Sequence, residues 1–252
     1  MKVITFNIKD GGIGREHFIL EVFSNTQPDL IFLQEITHAD LVHEWAATLK
    51  MEYAVAKGHS RRHVAILSRF PIRACSSDAP IPLLSRDVLM ATIEVGSLHQ
   101  LLHVAVVHLT AQPFFVFEWY RLLEVKSMLR RLKQPSGSPC LIAGDFNAVS
   151  PEDHPNLNLM AWHIRLMLRL QVHRFPHAVI AAMRSAGFID CFRSLYDEPG
   201  YTLPPPDPAI RFDYFFANEY LKPFLRNCNV IRHPAAVEHA SDHFPLLADF
   251  AL

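Results

Sequence analysis

The feature that most constrains this chain is a set of short apolar runs, each of which ends abruptly in polar residues. "KVITFNI" holds Asn7 near its close, "DLIFLQE" stops on Glu35, "HVAVVH" on His108, and "LIAGDFNAVSPEDHP" turns polar at Asp145 and Asn147. Asp213 stands in "RFDYFF", and Asp242 and His243 stand in "ASDHFP" just before a last apolar run, "PLLADFA". Runs this short, bounded by turn residues, read as buried strands. Polar residues at the ends of such strands are held by a rigid scaffold and still face solvent, which is where open α/β folds build their sites.

Helices alternate with these strands. "REHFILEVFSNT" and "ADLVHEWAATLKM" have amphipathic spacing, giving a βαβα opening. Five β-rich runs follow between residues 53 and 109, then the long helix "VFEWYRLLEVKSMLRRLK", the strand "CLIAGDF", two helices within 158 to 187, and three more strands. Two sets of strands interleaved with helices predict two β-sheets packed face to face with helices outside. The chain shows no internal repeat or long linker, so residues 1–252 are expected to form a single domain.

Half of the 252 residues are hydrophobic, enough to bury a large core. A formal net charge of −1 excludes the overall basic field of a protein that grips long duplex DNA non-specifically, though not a locally positive face. Cys75, Cys140, Cys191 and Cys228 are scattered with no C-x-x-C pair, which argues against a zinc knuckle or disulfide framework and fits reduced thiols in a cytoplasmic protein. The N-terminus lacks signal-peptide character, and the longest apolar stretch is interrupted by His163, Arg165 and Arg169, so no transmembrane segment is expected. A soluble monomer is the expectation.

The chemistry of the strand-end residues follows from their types. Mg²⁺ prefers oxygen ligands and keeps several waters, so Glu35 and Asp242 would suffice as protein ligands while a substrate phosphate completes the shell. Asp145 could orient or deprotonate the attacking water. Asn147 could donate to an oxygen whose charge grows in the transition state. Asp213 favours the charged form of His243, making it a cationic donor to phosphate. His108 could contact another phosphate oxygen. A zinc cluster of His99, His103 and His108 is disfavoured, because strand alternation puts His108 on the opposite face from the other two.

Taken in order, "FN", "QE", "VVHL", "GDFN", "RFDYFF" and "SDH" resemble the endonuclease/exonuclease/phosphatase superfamily over nearly the whole chain, with "SDH" about a hundred residues after "GDFN". "AILSRFPI", "RDVLMATI" and "GFIDCFR" are weaker echoes of the same family. The resemblance implies a four-layer α/β-β-α sandwich of two mixed β-sheets, and hydrolysis of a phosphate ester with Mg²⁺ or Mn²⁺. It also implies an Asp213 and His243 pair, Glu35 as metal ligand assisted by Asn7, and roles for Asp145, Asn147 and Asp242 like those above. Three departures stand out. Lys9 occupies a position where many members carry Asp, His63 and Val64 replace the usual Gly before "AILS", and His108 moves the reading away from abasic-site repair.

Substrate contacts are expected from Arg86 and Arg121 and from a basic, apolar segment after "GDFN" that includes Trp162, Arg165 and Arg169. Such a segment suits a phosphate-bearing ligand with an apolar part, or an anionic lipid surface. Phe114, Phe115 and Trp119 could stack on a nucleic-acid base or hold a lipid tail. The expected function is metal-dependent hydrolysis of a phosphodiester, nuclease-like or acting on a lipid or nucleotide. The alternative is a phosphatase acting on a small phosphorylated metabolite or lipid headgroup, and a further one is a binding module without turnover.

Overall fold

The structure is a computed structural model. It describes residues 1–56, 58, 61–80, 86, 88–96, 100–111, 115–132, 137–160, 162, 165–166 and 177–252. His99, Phe114, Arg169 and most of the basic apolar segment lie outside the described residues, as does the side chain of Phe115.

Twelve described strands form two six-stranded mixed sheets. The first has the order β11-β12-β1-β2-β4-β3 and contains β1 (Lys2–Asn7), β2 (Leu30–Ile36), β3 (Glu52–Val55), β4 (His63–Ser68), β11 (Leu225–Val230) and β12 (Leu246–Phe250). The second has the order β5-β6-β7-β8-β10-β9 and contains β5 (Ile72–Asp78), β6 (Val88–Val95), β7 (Gln100–His108), β8 (Cys140–Asp145), β9 (Ile189–Asp190) and β10 (Asp213–Ala217). β1 and β2 pair in parallel across helix α1 (Glu16–Thr26), as the βαβα opening predicts. Helices α2 (Ala39–Leu49), α3 (Phe115–Arg131), α4 (Ala178–Ser185) and α5 (Ala236–Ala240) complete the described helices of at least one α-turn. Of the two helices expected within 158 to 187, α4 is one, and the stretch for the other falls mostly outside the described residues. The two-residue β9 and the short α5 are too brief to leave a periodic signal in the sequence.

Alternation along the strands sorts the side chains into layers. Val3, Phe32, Ile66, Val104, Ala143, Phe215 and Leu246 meet between the sheets. Ile4, Phe6, Ile31, Leu33 and Leu247 face the other way, onto Val22 and Phe23 of α1, Trp45 of α2 and Val237 of α5. Ala105, Val107, Ile142 and Phe216 pack against Val125 and Met128 of α3 and Val179 and Met183 of α4. The result is the four-layer sandwich, helices outside and sheets within. Each fully buried Leu, Ile or Phe in these layers contributes about 1.5–3 kcal/mol relative to exposure.

Gly144, in "GDFN", shows how closely two neighbouring strands of the second sheet are drawn together. Its φ is 139°, and a Cβ there would lie 2.0 Å from the Val107 carbonyl oxygen of the neighbouring strand. β7 and β8 run in parallel at this point, with Val107 opposite Gly144 and His108 opposite Asp145. Backbone cannot yield as a flexible side chain would, so Gly144→Ala is expected to cost more than about 3 kcal/mol through strain at a special backbone position. Urea denaturation midpoints of the two proteins measure this, and a loss below about 1 kcal/mol would show that the strands can part there without penalty.

Candidate active site

Asp145 is opposed by His108 on one side and Asp213 on the other. Three adjacent strands of the second sheet therefore present one polar row. The row continues the inner face defined by Val106, Ala143 and Phe215, at the point where the apolar filling between the sheets stops. Asn7 ends β1 on the inner face of the first sheet, two pleats beyond Val3.

Glu35 reaches the same place by a different route. Ile31 and Leu33 pack outward onto the helices, so simple alternation would send Glu35 outward too. Instead the β2–β4 register shifts between Gln34 and Ile36, and Glu35 takes a φ of 64°. This bulge turns its carboxylate inward, the re-aiming that β-bulges produce beside active sites. The backbone N–H of Asp10 donates to Glu35 Oε2 at 2.9 Å.

Asn7 joins the two sheets. Its Nδ2 donates to Asp145 Oδ2 at 3.0 Å and to Glu35 Oε1 at 3.4 Å, while its Oδ1 accepts the Lys9 N–H at 3.1 Å. Its amide oxygen thus faces Lys9, and its amino group holds the two carboxylates together. His108 Nε2 lies 3.7 Å from Glu35 Oε1 and 3.6 Å from Asp145 Oδ2. Both ring nitrogens of His108 are buried without a hydrogen-bond partner among the described residues. Burial, reinforced by the positive charges of Arg86, His243 and Arg62, pushes His108 well below the usual histidine range, so the ring is neutral.

Asp213 and His243 form a tight pair, with Nδ1 2.8 Å from Asp213 Oδ2 and Nε2 3.8 Å from Asp145 Oδ2. Burial opposes charge on His243, but Asp213, through its charge and hydrogen bond, and Asp145 outweigh it, and the pKa rises to about 10. Asp145 is pushed up from the carboxylate range by burial and the neighbouring Asp213, against the opposing pull of His243 and the hydrogen bonds from Asn147 and Asn7. Asn147 N–H donates to Asp145 Oδ1 at 2.9 Å. The Asn147 side chain, at φ 47°, donates to the Leu109 carbonyl at 3.1 Å. Arg86 reaches the same carbonyl at 3.4 Å, so the residue after His108 is clamped from two sides. Burial lowers the Arg86 pKa, offset by the fields of Glu35 and Asp145.

The remaining expected residues are placed differently. Asp242 lies beside the row, with Oδ2 3.1 Å from Lys9 Nζ. Arg121 is buried on α3, bonded to the Thr110 carbonyl at 2.9 Å and Glu118 at 3.3 Å, contacts that hold the segment after His108. Arg165 is partly buried, and Trp162 and Trp119 are exposed. His103 lies on the outer face of β7 beside Thr92, away from His108. Arg62 was not anticipated. Its Nε lies 3.4 Å from Glu35 Oε2 and its guanidinium pairs with Asp10. The available signal was a pair of arginines before a strand that runs antiparallel beside the one ending in Glu35.

Two groupings could hold a cation. Asp145, Asp213 and His243 have ligand atoms within 4.8 Å of one another. Nδ1 of His243 is committed to Asp213, however, and a protonated imidazole cannot ligate metal. Glu35 and Asp145 fit better. Two buried carboxylates share one amide, an unpartnered imidazole points between them, and all the oxygen donors suit a hard divalent ion.

The sequence of residues 4–243 matches the Endonuclease/Exonuclease/phosphatase family. The uncharacterised protein YbhP of Escherichia coli strain K12 is 26% identical over 288 residues, spanning all of this chain and 96% of that protein. Among solved structures, a 3′ phosphatase from Neisseria, NExo, bound to product DNA hairpin superposes with a TM-score of 0.74 at 18% identity, covering 100% of both chains. The human Nocturnin catalytic domain with bound sulfate superposes at 0.75 and 19% identity, over 100% of this chain and 93% of that one. At these identities the superpositions establish a common fold, and the match along the sequence places the chain within the Endonuclease/Exonuclease/phosphatase family.

Proposed function

We propose that this protein is a divalent-metal-dependent phosphoesterase that hydrolyses a phosphodiester by attack of water, using Mg²⁺ or Mn²⁺. The observation that carries this reading is the meeting of Glu35, Asn7, His108, Asp145 and the Asp213–His243 pair at adjoining ends of two sheets. Glu35 would hold the ion, with Asp145 beside it and Asn7 keeping the two carboxylates in place. When bound, the ion polarises a phosphoryl oxygen and offsets the charge that develops there.

The chain's own groups divide the remaining work. Asp145 is a raised-pKa carboxylate fixed by two hydrogen bonds, which suits it to take a proton from the attacking water. A P–O bond forms to that water oxygen as the bond to the leaving oxygen breaks. Cationic His243, oriented by Asp213, presents Nε2–H to a phosphoryl oxygen. Neutral His108 can donate one N–H to another. Arg86 and Arg62 supply positive charge around the same cleft, and both are suited to phosphate oxygens by their fork geometry. The Neisseria neighbour is described both as a 3′ phosphatase bound to product DNA hairpin and as a 3′–5′ exonuclease, so it is consistent with a monoester or a diester of nucleic acid, and a phosphorylated lipid headgroup would meet the same donors.

Hydrolysis of a chromogenic bis-aryl phosphodiester, with Mg²⁺, Mn²⁺ or EDTA, tests the reading. Turnover is expected only with metal, and Asp145→Ala is expected to lower it about a thousandfold. Turnover of the matching monoester alone would favour the phosphatase reading. Metal-independent turnover of the diester would remove the reading.

The Asp213–His243 pair sets a second expectation. His243 has its folded pKa raised above the ordinary value of 6.5, so its contribution to stability is complete below about pH 6.5 and is lost as pH climbs through 10. Asp213→Asn removes the opposing charge while leaving burial, and the pKa is expected to fall. Ring ¹⁵N shifts of His243 in the metal-free proteins read this directly. Diester hydrolysis by the variant should then decline through neutral pH while the wild type continues into the alkaline range. A ring that titrates identically in both proteins would show that Asp213 does not hold the charge.

A further inference from the structure

We infer that Lys9 supplies from within the chain the positive charge that Asp242 would otherwise take from a second metal ion, so that the centre holds one divalent ion, at Glu35. The inference rests on the phosphoesterase reading and specifies how the chain's own residues limit its metal.

The contact itself is 3.1 Å between Lys9 Nζ and Asp242 Oδ2. Both side chains are about half exposed, at 48% and 43%, and water competes with a pair of that kind, so it adds little to stability. Its geometry is nonetheless built from both sides. Lys9 adopts a φ of 50°, its N–H donates to Asn7 Oδ1, and its carbonyl accepts from Arg15. Arg15 also reaches the Ala240 carbonyl at 2.6 Å, and Ser241 Oγ donates to the Asn7 carbonyl at 2.6 Å. These bonds stitch the loop that carries Lys9 to the loop that carries Asp242. Both are fixed to Asn7, the residue that holds Glu35 and Asp145 together.

The matching of charges then separates the acidic groups. Asp213 has His243, Asp242 has Lys9, and Asp10 has Arg62. Glu35 and Asp145 lie together, with Arg62 Nε 3.4 Å from Glu35, His243 Nε2 3.8 Å from Asp145, and between them the buried His108 ring, whose nitrogens have no hydrogen-bond partner among the described residues. Glu35 and Asp145 share their cations with other carboxylates, Arg62 with Asp10 and His243 with Asp213, so the negative charge without a cation of its own is at Glu35 and Asp145. At Asp242 a dication would meet an ammonium already in contact with the carboxylate, and like charges at that separation repel. Lysine carries three donors, and those not directed at Asp242 border the cleft lined by Lys9, Asp10, Arg15, Ser241 and Asp242, where a phosphate oxygen could accept them.

Mn²⁺ titration of the full chain, followed by calorimetry and electron paramagnetic resonance, tests this. Wild type is expected to bind one ion, Glu35→Gln to weaken it at least tenfold, and Lys9→Asp to bind a second with spin coupling to the first. Lys9→Gln, which keeps a polar side chain one atom shorter and removes the charge, is expected to gain second-ion binding at least tenfold tighter than any in wild type. This serves if Lys9→Asp melts early. Two ions in wild type, or a single unchanged ion in a folded Lys9→Gln, would overturn the inference while leaving the phosphoesterase reading intact. No ion in wild type would overturn both.

Discussion

One amide side chain holds the two halves of this site in contact. Asn7 projects from the first sheet and donates both to Glu35 of its own sheet and to Asp145 of the other. Two carboxylates so close and so buried repel each other, and each loses hydration that ionised oxygens strongly prefer. The two donated hydrogen bonds offset part of that cost, and a cation would offset the rest. The Asn7 carbonyl oxygen of the backbone and its side-chain Oδ1 meanwhile anchor the Ser241 and Lys9 segments. The segments that carry Lys9 and Ser241 are thus both tied to a single residue at the end of β1.

Beneath this junction lies a second, fully internal network that fixes the loop after Asp145. Arg211 is buried and joins Asp153 at 2.9 Å and Asp190 at 2.6 Å. Tyr214 accepts the Ser150 N–H and donates to the Ala148 carbonyl. Such a buried charge network is not by itself a source of stability, because desolvation consumes much of the Coulomb gain. Its physical effect is positional. It fastens "GDFNAVSPED" against β10, and so keeps Asp145 and Asn147 in register with Asp213.

Much of this was legible in the sequence, for reasons that can be named. Strand ends at Asn7, His108, Asp145 and Asp213 follow from apolar runs whose alternation correctly assigns those residues to the inner face. Glu35 was identified from its place after "DLIFLQ", but alternation alone would turn it outward. The bulge that brings it inward depends on pairing with β4, which no local pattern records. Arg62 escaped notice because its proximity to Glu35 is a consequence of that same pairing. Arg121 was expected as a substrate contact, and tertiary packing gives it the Thr110 carbonyl and Glu118. The contact of Lys9 with Asp242 joins residues far apart in the chain, and "NIKDGG" shows only the change of charge.

The central claim is that the cation belongs at Glu35 and Asp145, and not at the neighbouring triad of Asp145, Asp213 and His243. Anomalous scattering from a crystal soaked in Mn²⁺ decides between them most directly. The account predicts a single peak within bonding distance of the Glu35 carboxylate, with the His243 ring still hydrogen-bonded to Asp213. A peak bonded to His243 Nε2 and Asp213, with none at Glu35, would contradict it.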